Sequence, residues 1–201
     1  WLNPATGQVK TILCYNTKKL TLFVCLAALV MFAAAKRETE QMVYADQISN
    51  ICNYPQLTGD TLKEEDLKGK LIILNFWASY DPVSRMNNYE LLQLGKRYSD
   101  SDFFKAKGLE VLSISLDIYK SQLVKAIELD DTKEFKHFCD FSGVDSELCE
   151  AFDVTEPVNL LIDSEGMVIA RDFGVTSIAS TLEILKEEKM TLDDPDVKQY
   201  N

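Results

Sequence analysis

Residues 77–86 read WASYDPVSRM, a stretch that combines reactive side chains with a turn able to present them. Asp81 supplies a carboxylate and Ser84 a hydroxyl, and both follow the apolar run LIILNF at 71–76. Pro82 between them is typical of the first turn of a helix. Turns that lead from a buried strand into a helix often carry catalytic or binding residues in α/β proteins. The pattern therefore makes 77–86 the first candidate site.

The chemistry open to these two side chains is limited. A carboxylate at a helix N-terminus can cap the helix and is favoured there by the helix dipole. A serine hydroxyl needs a base to become a nucleophile. The only histidine, His137, lies in a segment whose pattern predicts a different helix. A triad of Ser84, His137 and a carboxylate is conceivable, yet a lone histidine is more often a surface or half-buried helix residue.

Three cysteines follow the N-terminal region, namely Cys52, Cys139 and Cys149. They form no C-x-x-C pair, and none begins a predicted helix as a peroxidase would require. One histidine and scattered cysteines lack metal-ligand spacing, so we expect no metal and no cofactor. In an oxidising compartment Cys139 and Cys149 are candidates for a structural disulfide, with two independent buried thiols as the alternative. Cys52 stays unpaired in either case.

The composition excludes one class of partner. The chain has 201 residues, of which 46% are hydrophobic and 26% charged, and its net charge is −11. Nucleic-acid-binding proteins need a basic surface that neutralises phosphates, so we expect no nucleic-acid partner. Acidity of this degree is otherwise typical of soluble proteins.

The first 35 residues differ in composition from the rest. Lys18 and Lys19 precede an uncharged apolar run at 20–35, which ends in three alanines and is followed by charged residues. This pattern predicts an upstream extension plus a signal peptide cleaved after Ala35. An uncleaved N-terminal anchor and a buried helix are the alternatives. We therefore expect an exported protein of the periplasm or cell envelope, with membrane contact only through an uncleaved N-terminal segment.

Hydrophobic patterns predict the elements that position the candidate turn. Apolar runs predict strands at 71–78 and 109–117 and a hairpin over 157–173. Helical spacing predicts helices at 82–98, 120–129, 132–141, 146–152 and 177–188. This order is typical of an α/β fold in which helices cover both faces of a central mixed sheet. The predicted organisation is an N-terminal region (1–35), a linker (36–54), a domain (55–188) and an acidic C-terminal tail (189–201).

Three segments resemble the exported TlpA/ResA-like thioredoxins. They are KGKLIILNFWAS at 68–79, LEVLSISLD at 109–117 and EPVNLLIDSEGMVI at 156–169. The resemblance spans most of the domain and implies a thioredoxin-like fold. It also implies that the turn after NFWA holds a W-C-x-x-C motif in relatives, whose cysteines carry out thiol–disulfide exchange.

In this chain Asp81 and Ser84 stand where relatives carry those two cysteines. Pro157 matches a cis-proline that borders a groove for extended substrates in relatives. The resemblance therefore implies a degenerate site with no catalytic residue. The binding candidates that it implies around the groove are Trp77, Tyr80, Pro82, Arg85, Glu156 and Pro157.

Two functions remain open at this stage. The first is a thioredoxin-like protein that has lost redox activity and acts as a binding or scaffold module, holding another exported protein or peptide in the Pro157 groove. The second is a thiol–disulfide oxidoreductase that uses Cys139/Cys149 or Cys52.

Overall fold

The computed structural model describes residues 31, 49–54, 56–171 and 174–193. Apart from residue 31, these lie in one compact unit, residues 43–201. The predicted signal peptide or anchor lies outside the described residues except for Met31, as does most of the linker at 36–54. Within the described part of the chain, no helix has the length and apolar character needed to cross a membrane. The predicted domain boundaries stay predictions.

The described elements alternate between strands and helices. In chain order they are β1 (Leu71–Trp77), α1 (Pro82–Tyr98), β2 (Asp102–Phe103), β3 (Ala106–Lys107), β4 (Leu109–Ser115), α2 (Lys120–Leu129), β5 (Lys136–Phe138), α3 (Glu147–Ala151), β6 (Val158–Ile162), β7 (Val168–Arg171) and α4 (Val175–Asp193). Short 3₁₀ turns cover Glu64–Asp66 and Gly143–Asp145, and residues 49–53 are helical.

Five strands form one mixed sheet in the order β5-β4-β1-β6-β7. β1 is parallel to β4, and β4 to β5, whereas β6 runs antiparallel to both β1 and β7. The predicted central mixed sheet is thereby confirmed. Strands β2 and β3 form a separate small hairpin, which the sequence patterns did not indicate.

Every residue of β1 is buried, because helices cover the sheet on both sides. Leu71 and Ile73 pack in the cluster that contains residues of α1 and α4, whereas Ile72, Leu74 and Phe76 pack with residues of α3. Burial of each such side chain stabilises the fold by roughly 1.5–3 kcal/mol. The continuous apolar run thus places β1 at the centre and holds its end in a fixed position.

The helix predicted for residues 132–141 is wrong. Residues 136–138 form β5, the edge strand paired in parallel with β4. His137 and Phe138 are both buried, as expected for side chains that point to opposite faces of a covered sheet. Pairing with β4 outweighs the local helical spacing, because strand formation depends strongly on tertiary context. His137 is consequently a buried strand residue, not a surface helix residue.

Two further expectations are corrected. Helix α4 continues to Asp193, beyond its predicted end and into the predicted tail. The described residues contain no cis peptide bond, so the bond between Glu156 and Pro157 is trans instead of cis. The trans form of an X–Pro bond is intrinsically favoured by about 0.5–1 kcal/mol.

Two glycines provide a test of the backbone packing at the start of β4. A Cβ on Gly108 (φ +87°) would lie 2.4 Å from the carbonyl oxygen of Ser99, whereas one on Gly59 (φ +91°) would meet nothing within 4 Å. We expect Gly59→Ala to lower the free energy of unfolding by about 1–2 kcal/mol, from left-handed strain alone. Gly108→Ala should lower it considerably more, because it adds a clash with backbone. Urea unfolding of both variants measures the difference, and equal losses would contradict the close approach.

Candidate functional site

The candidate site lies where β1 ends and α1 begins. Ala78 is fully buried, and its carbonyl oxygen accepts a hydrogen bond from the backbone N–H of Asp81 at 3.1 Å. Pro82 then occupies the first turn of α1, where its fixed φ suits a helix and its missing N–H is not needed. The chain therefore turns sharply into α1, as the sequence predicted.

Asp81 is the N-cap of α1. Its backbone is extended, and its Oδ1 accepts a hydrogen bond from the backbone N–H of Ser84 at 2.8 Å. The cap satisfies one of the N–H groups that the first helical turn leaves without a partner. The positive end of the helix dipole also favours this carboxylate. Asp81 thus has a structural role that its position alone explains.

Ser84 is buried and its hydroxyl is engaged with the same turn. Its Oγ accepts from the backbone N–H of Ala78 at 3.3 Å and lies 3.2 Å from the carbonyl oxygen of Asp81, to which it can donate. His137 instead contacts the carbonyl oxygen of Thr132 through Nε2 at 2.8 Å. The structure therefore gives no support to a Ser–His–Asp triad.

A buried carboxylate, Asp117, ties the turn to the end of β4. It accepts hydrogen bonds from the backbone N–H of Ser79 at 3.0 Å, from the Ser79 hydroxyl, and from the Ser115 hydroxyl at 2.6 Å. Hydrogen bonds to a charged acceptor are stronger than neutral ones. Asp117 therefore holds the turn against the C-terminal end of β4.

Polar side chains also cross the sheet beneath α1. Asn75, Ser113, His137 and Asn159 lie in register on adjacent strands. We refer to these four residues as the polar row. Asn75 Nδ2 donates to Oδ1 of Asn88 on α1 at 2.6 Å. This buried contact fixes α1 over the sheet about two turns after the cap.

A groove of about 280 Å³ opens between the start of α1 and the start of β6. Four of the residues that the sequence singled out line it: Asp81, Ser84, Glu156 and Pro157. Its other lining residues are Asn75, Phe76, Val83, Asn87, Val158, Asn159 and Gly174. None of these seven residues was a binding candidate from the sequence. The i, i+3 spacing of Ser84 and Asn87 along α1 could have indicated Asn87, whereas Gly174 comes near only through the tertiary fold.

The other four candidates lie elsewhere. Trp77 is fully buried against α2, which agrees with a core residue. Tyr80 is 65% exposed at the turn. Pro82 and Arg85 line a second cavity of about 500 Å³ on the outer side of α1. Arg85 is held there by Asp130, with nitrogen–oxygen distances of 2.7 and 2.5 Å, and this contact raises the pKa of the guanidinium.

The three described cysteines are free thiols. The Cys139 thiol donates to the carbonyl oxygen of Asp117 at 3.4 Å, and the Cys149 thiol to that of Gly143 at 3.6 Å. The candidate disulfide between them is therefore not formed in the structure. Burial raises the pKa of each of the three thiols, which disfavours the reactive thiolate. No group of metal-ligating side chains is found among the described residues.

Family membership follows from the segment that contains this site. The sequence pattern of the AhpC/TSA family matches residues 46–171, more than half of the chain. The chain belongs to the AhpC/TSA family. Among proteins of curated function, none matches its sequence.

Solved structures similar to this AhpC/TSA family member include thiol–disulfide oxidoreductases. One from Bacteroides fragilis is 32% identical, with a TM-score of 0.56, covering 66% of this chain and 94% of that chain. A thioredoxin-like protein from Parabacteroides distasonis is 28% identical, with a TM-score of 0.50 and coverages of 57% and 81%. The thioredoxin domain of a Bacteroides vulgatus oxidoreductase, 20% identical with a TM-score of 0.54 and coverages of 64% and 91%, shares the fold. The predicted thioredoxin-like fold is confirmed.

The helix cap gives the first prediction at the site. Asp81→Ala should lower the free energy of unfolding by about 1 kcal/mol, because the hydrogen bond to the Ser84 N–H is lost. Asp81→Asn keeps a side-chain oxygen at the cap and should stay close to the wild-type value. Urea unfolding checks both variants. An Asp81→Asn loss as large as that of Asp81→Ala would contradict a cap based on the oxygen.

His137 gives a prediction about acid stability. Burial lowers its pKa to about 4 from 6.5, so between these values the unfolded chain binds a proton that the folded chain does not. The neutral histidine therefore contributes stability fully above about pH 6.5, and this contribution declines as pH falls to 4, by up to about 3 kcal/mol. His137→Gln should unfold with a shallower pH dependence in this window. Parallel pH curves for the two proteins would contradict the assignment.

Proposed function

We propose that this protein is an exported TlpA/ResA-like thioredoxin-fold module without thiol–disulfide activity, which binds an extended segment of another protein or a peptide in the groove beside Pro157. The observation that carries the proposal is the pair of oxygen-bearing side chains at the turn. Asp81 and Ser84, which the family resemblance aligns with two cysteines, are both hydrogen-bonded into the start of α1. Neither side chain can form the mixed disulfide on which exchange depends.

The positions of the cysteines support the same proposal. Cys139 and Cys149 bond to different backbone carbonyl oxygens, and burial raises the pKa of both thiols. The pKa of Cys52 is raised too, by burial first and then by the nearby Glu64 carboxylate. A thiol with a raised pKa is ionised to only a small extent near neutral pH, and it therefore attacks disulfides slowly. This argues against the alternative in which these cysteines carry out exchange.

The groove itself supports a binding role. It is bounded by α1 on one side and by the start of β6 on the other, and both are anchored in the sheet. Rigid walls lower the entropy lost when a segment binds. Export is part of the proposal because the N-terminal pattern is typical of a signal peptide.

Introducing two cysteines at the turn tests whether their absence explains a lack of thiol–disulfide activity. The wild-type protein should not catalyse reduction of insulin by dithiothreitol, whereas Asp81→Cys/Ser84→Cys should do so, because it places two thiols at a helix start. The turbidity of reduced insulin measures the rate. Circular dichroism checks that the double variant, which lacks the Asp81 cap, is folded.

Single replacements separate the two functions. If the wild type is active and Cys139→Ser, Cys149→Ser or Cys52→Ser removes that activity, the protein is an oxidoreductase and the proposal is wrong. Asp81→Ser, which adds no thiol, is the matched control for the double variant and should remain inactive.

A further inference from the structure

The groove carries charge of one sign. Asp81 at the N-cap of α1 and Glu156 before β6 both line it, and its lining residues include no lysine or arginine. The nearest basic residue on α1 is Arg85, which is paired with Asp130 on the neighbouring surface. The cap uses only Oδ1 of Asp81, and Glu156 is exposed. The groove therefore presents two carboxylates to whatever occupies it.

Apolar surface flanks these carboxylates. Phe76, Pro157 and Val158 line the groove with them. Val83 lines it as well and is 64% exposed, and Tyr80 at the tip of the turn is 65% exposed. Exposed large apolar side chains beside a concave site are typical of surfaces that bind other chains. The occupant that complements both features has apolar side chains on either side of a positive charge.

We propose that the groove selects an extended segment that carries a lysine or arginine between apolar side chains, with the cation held between Asp81 and Glu156. This inference rests on the proposed function, since it names the chemistry of the segment that the same groove binds. Opposed charges give specificity because they attract a cation and repel an acidic segment.

The test uses the full chain, labelled with ¹⁵N, and three short unstructured peptides free of cysteine. Each has a leucine and a valine around one central residue, which is lysine, glutamine or glutamate. Titrations followed by amide chemical shifts report both the affinity and the position of binding. We expect shifts at the groove amides, with the lysine peptide binding about five- to tenfold more tightly than the glutamine peptide. The glutamate peptide should bind most weakly, and 0.5 M salt should reduce the difference.

Variants assign the selectivity to the two carboxylates. Asp81→Asn, which can still cap α1, and Glu156→Gln should each weaken the lysine peptide severalfold more than the glutamine peptide. Glu90→Gln is the matched control, because it removes one exposed negative charge from the neighbouring cavity. It should leave all three affinities unchanged. Val83→Ser should weaken the lysine and glutamine peptides equally.

The outcomes distinguish this inference from the function on which it rests. If lysine and glutamine peptides bind the groove equally, the charge selectivity is overturned while groove binding stands. If no peptide shifts the groove amides, both fail. If the groove amides shift with protein concentration alone, a second copy of the chain occupies the groove and the inference is wrong.

Discussion

The antiparallel pairing of β1 with β6 is the constraint on which the site depends. Phe76 near the end of β1 is paired with Val158 at the start of β6. The turn that follows β1 therefore lies beside the segment that precedes β6, and the groove opens between them. The parallel pairing of β1 with β4 brings the end of β4 to the same edge. Asp117 can consequently reach back to Ser79 and hold the turn in place.

The local electrostatics explain why the turn remains well formed with oxygen side chains. A helix N-terminus stabilises negative charge, whether on a thiolate or on a carboxylate. A thiolate in that position attacks disulfides, whereas a carboxylate there caps the helix and cannot form a mixed disulfide. The same field that would activate sulfur thus stabilises the folded turn in this chain. The groove beside the turn is thus bordered by a carboxylate that is hydrogen-bonded into the start of α1.

The sequence predicts best what local patterns determine. The apolar run of β1, the proline at the start of α1 and the spacing along α2 all predict elements that the structure confirms. The strand β5 could not be predicted in this way, because its three residues are held by pairing with β4. The position of the Arg85 side chain could not be predicted from the sequence either. It depends on Asp130, which lies 45 residues away in the sequence, so the basic candidate turned out to lie beside the groove.

The polar row has a consequence for the alignment of the strands. Its four members sit on the same face of four neighbouring strands, surrounded by an otherwise apolar interior. Since side chains alternate between faces, a slip of one strand by a single residue would move its polar group into the apolar cluster on the other side. Burial of a polar group without a hydrogen bond lowers the stability of the fold. The hydrogen bond between Asn75 and Asn88 forms only when β1 is in the observed register, so a one-residue slip of β1 would also remove the contact that joins α1 to the sheet.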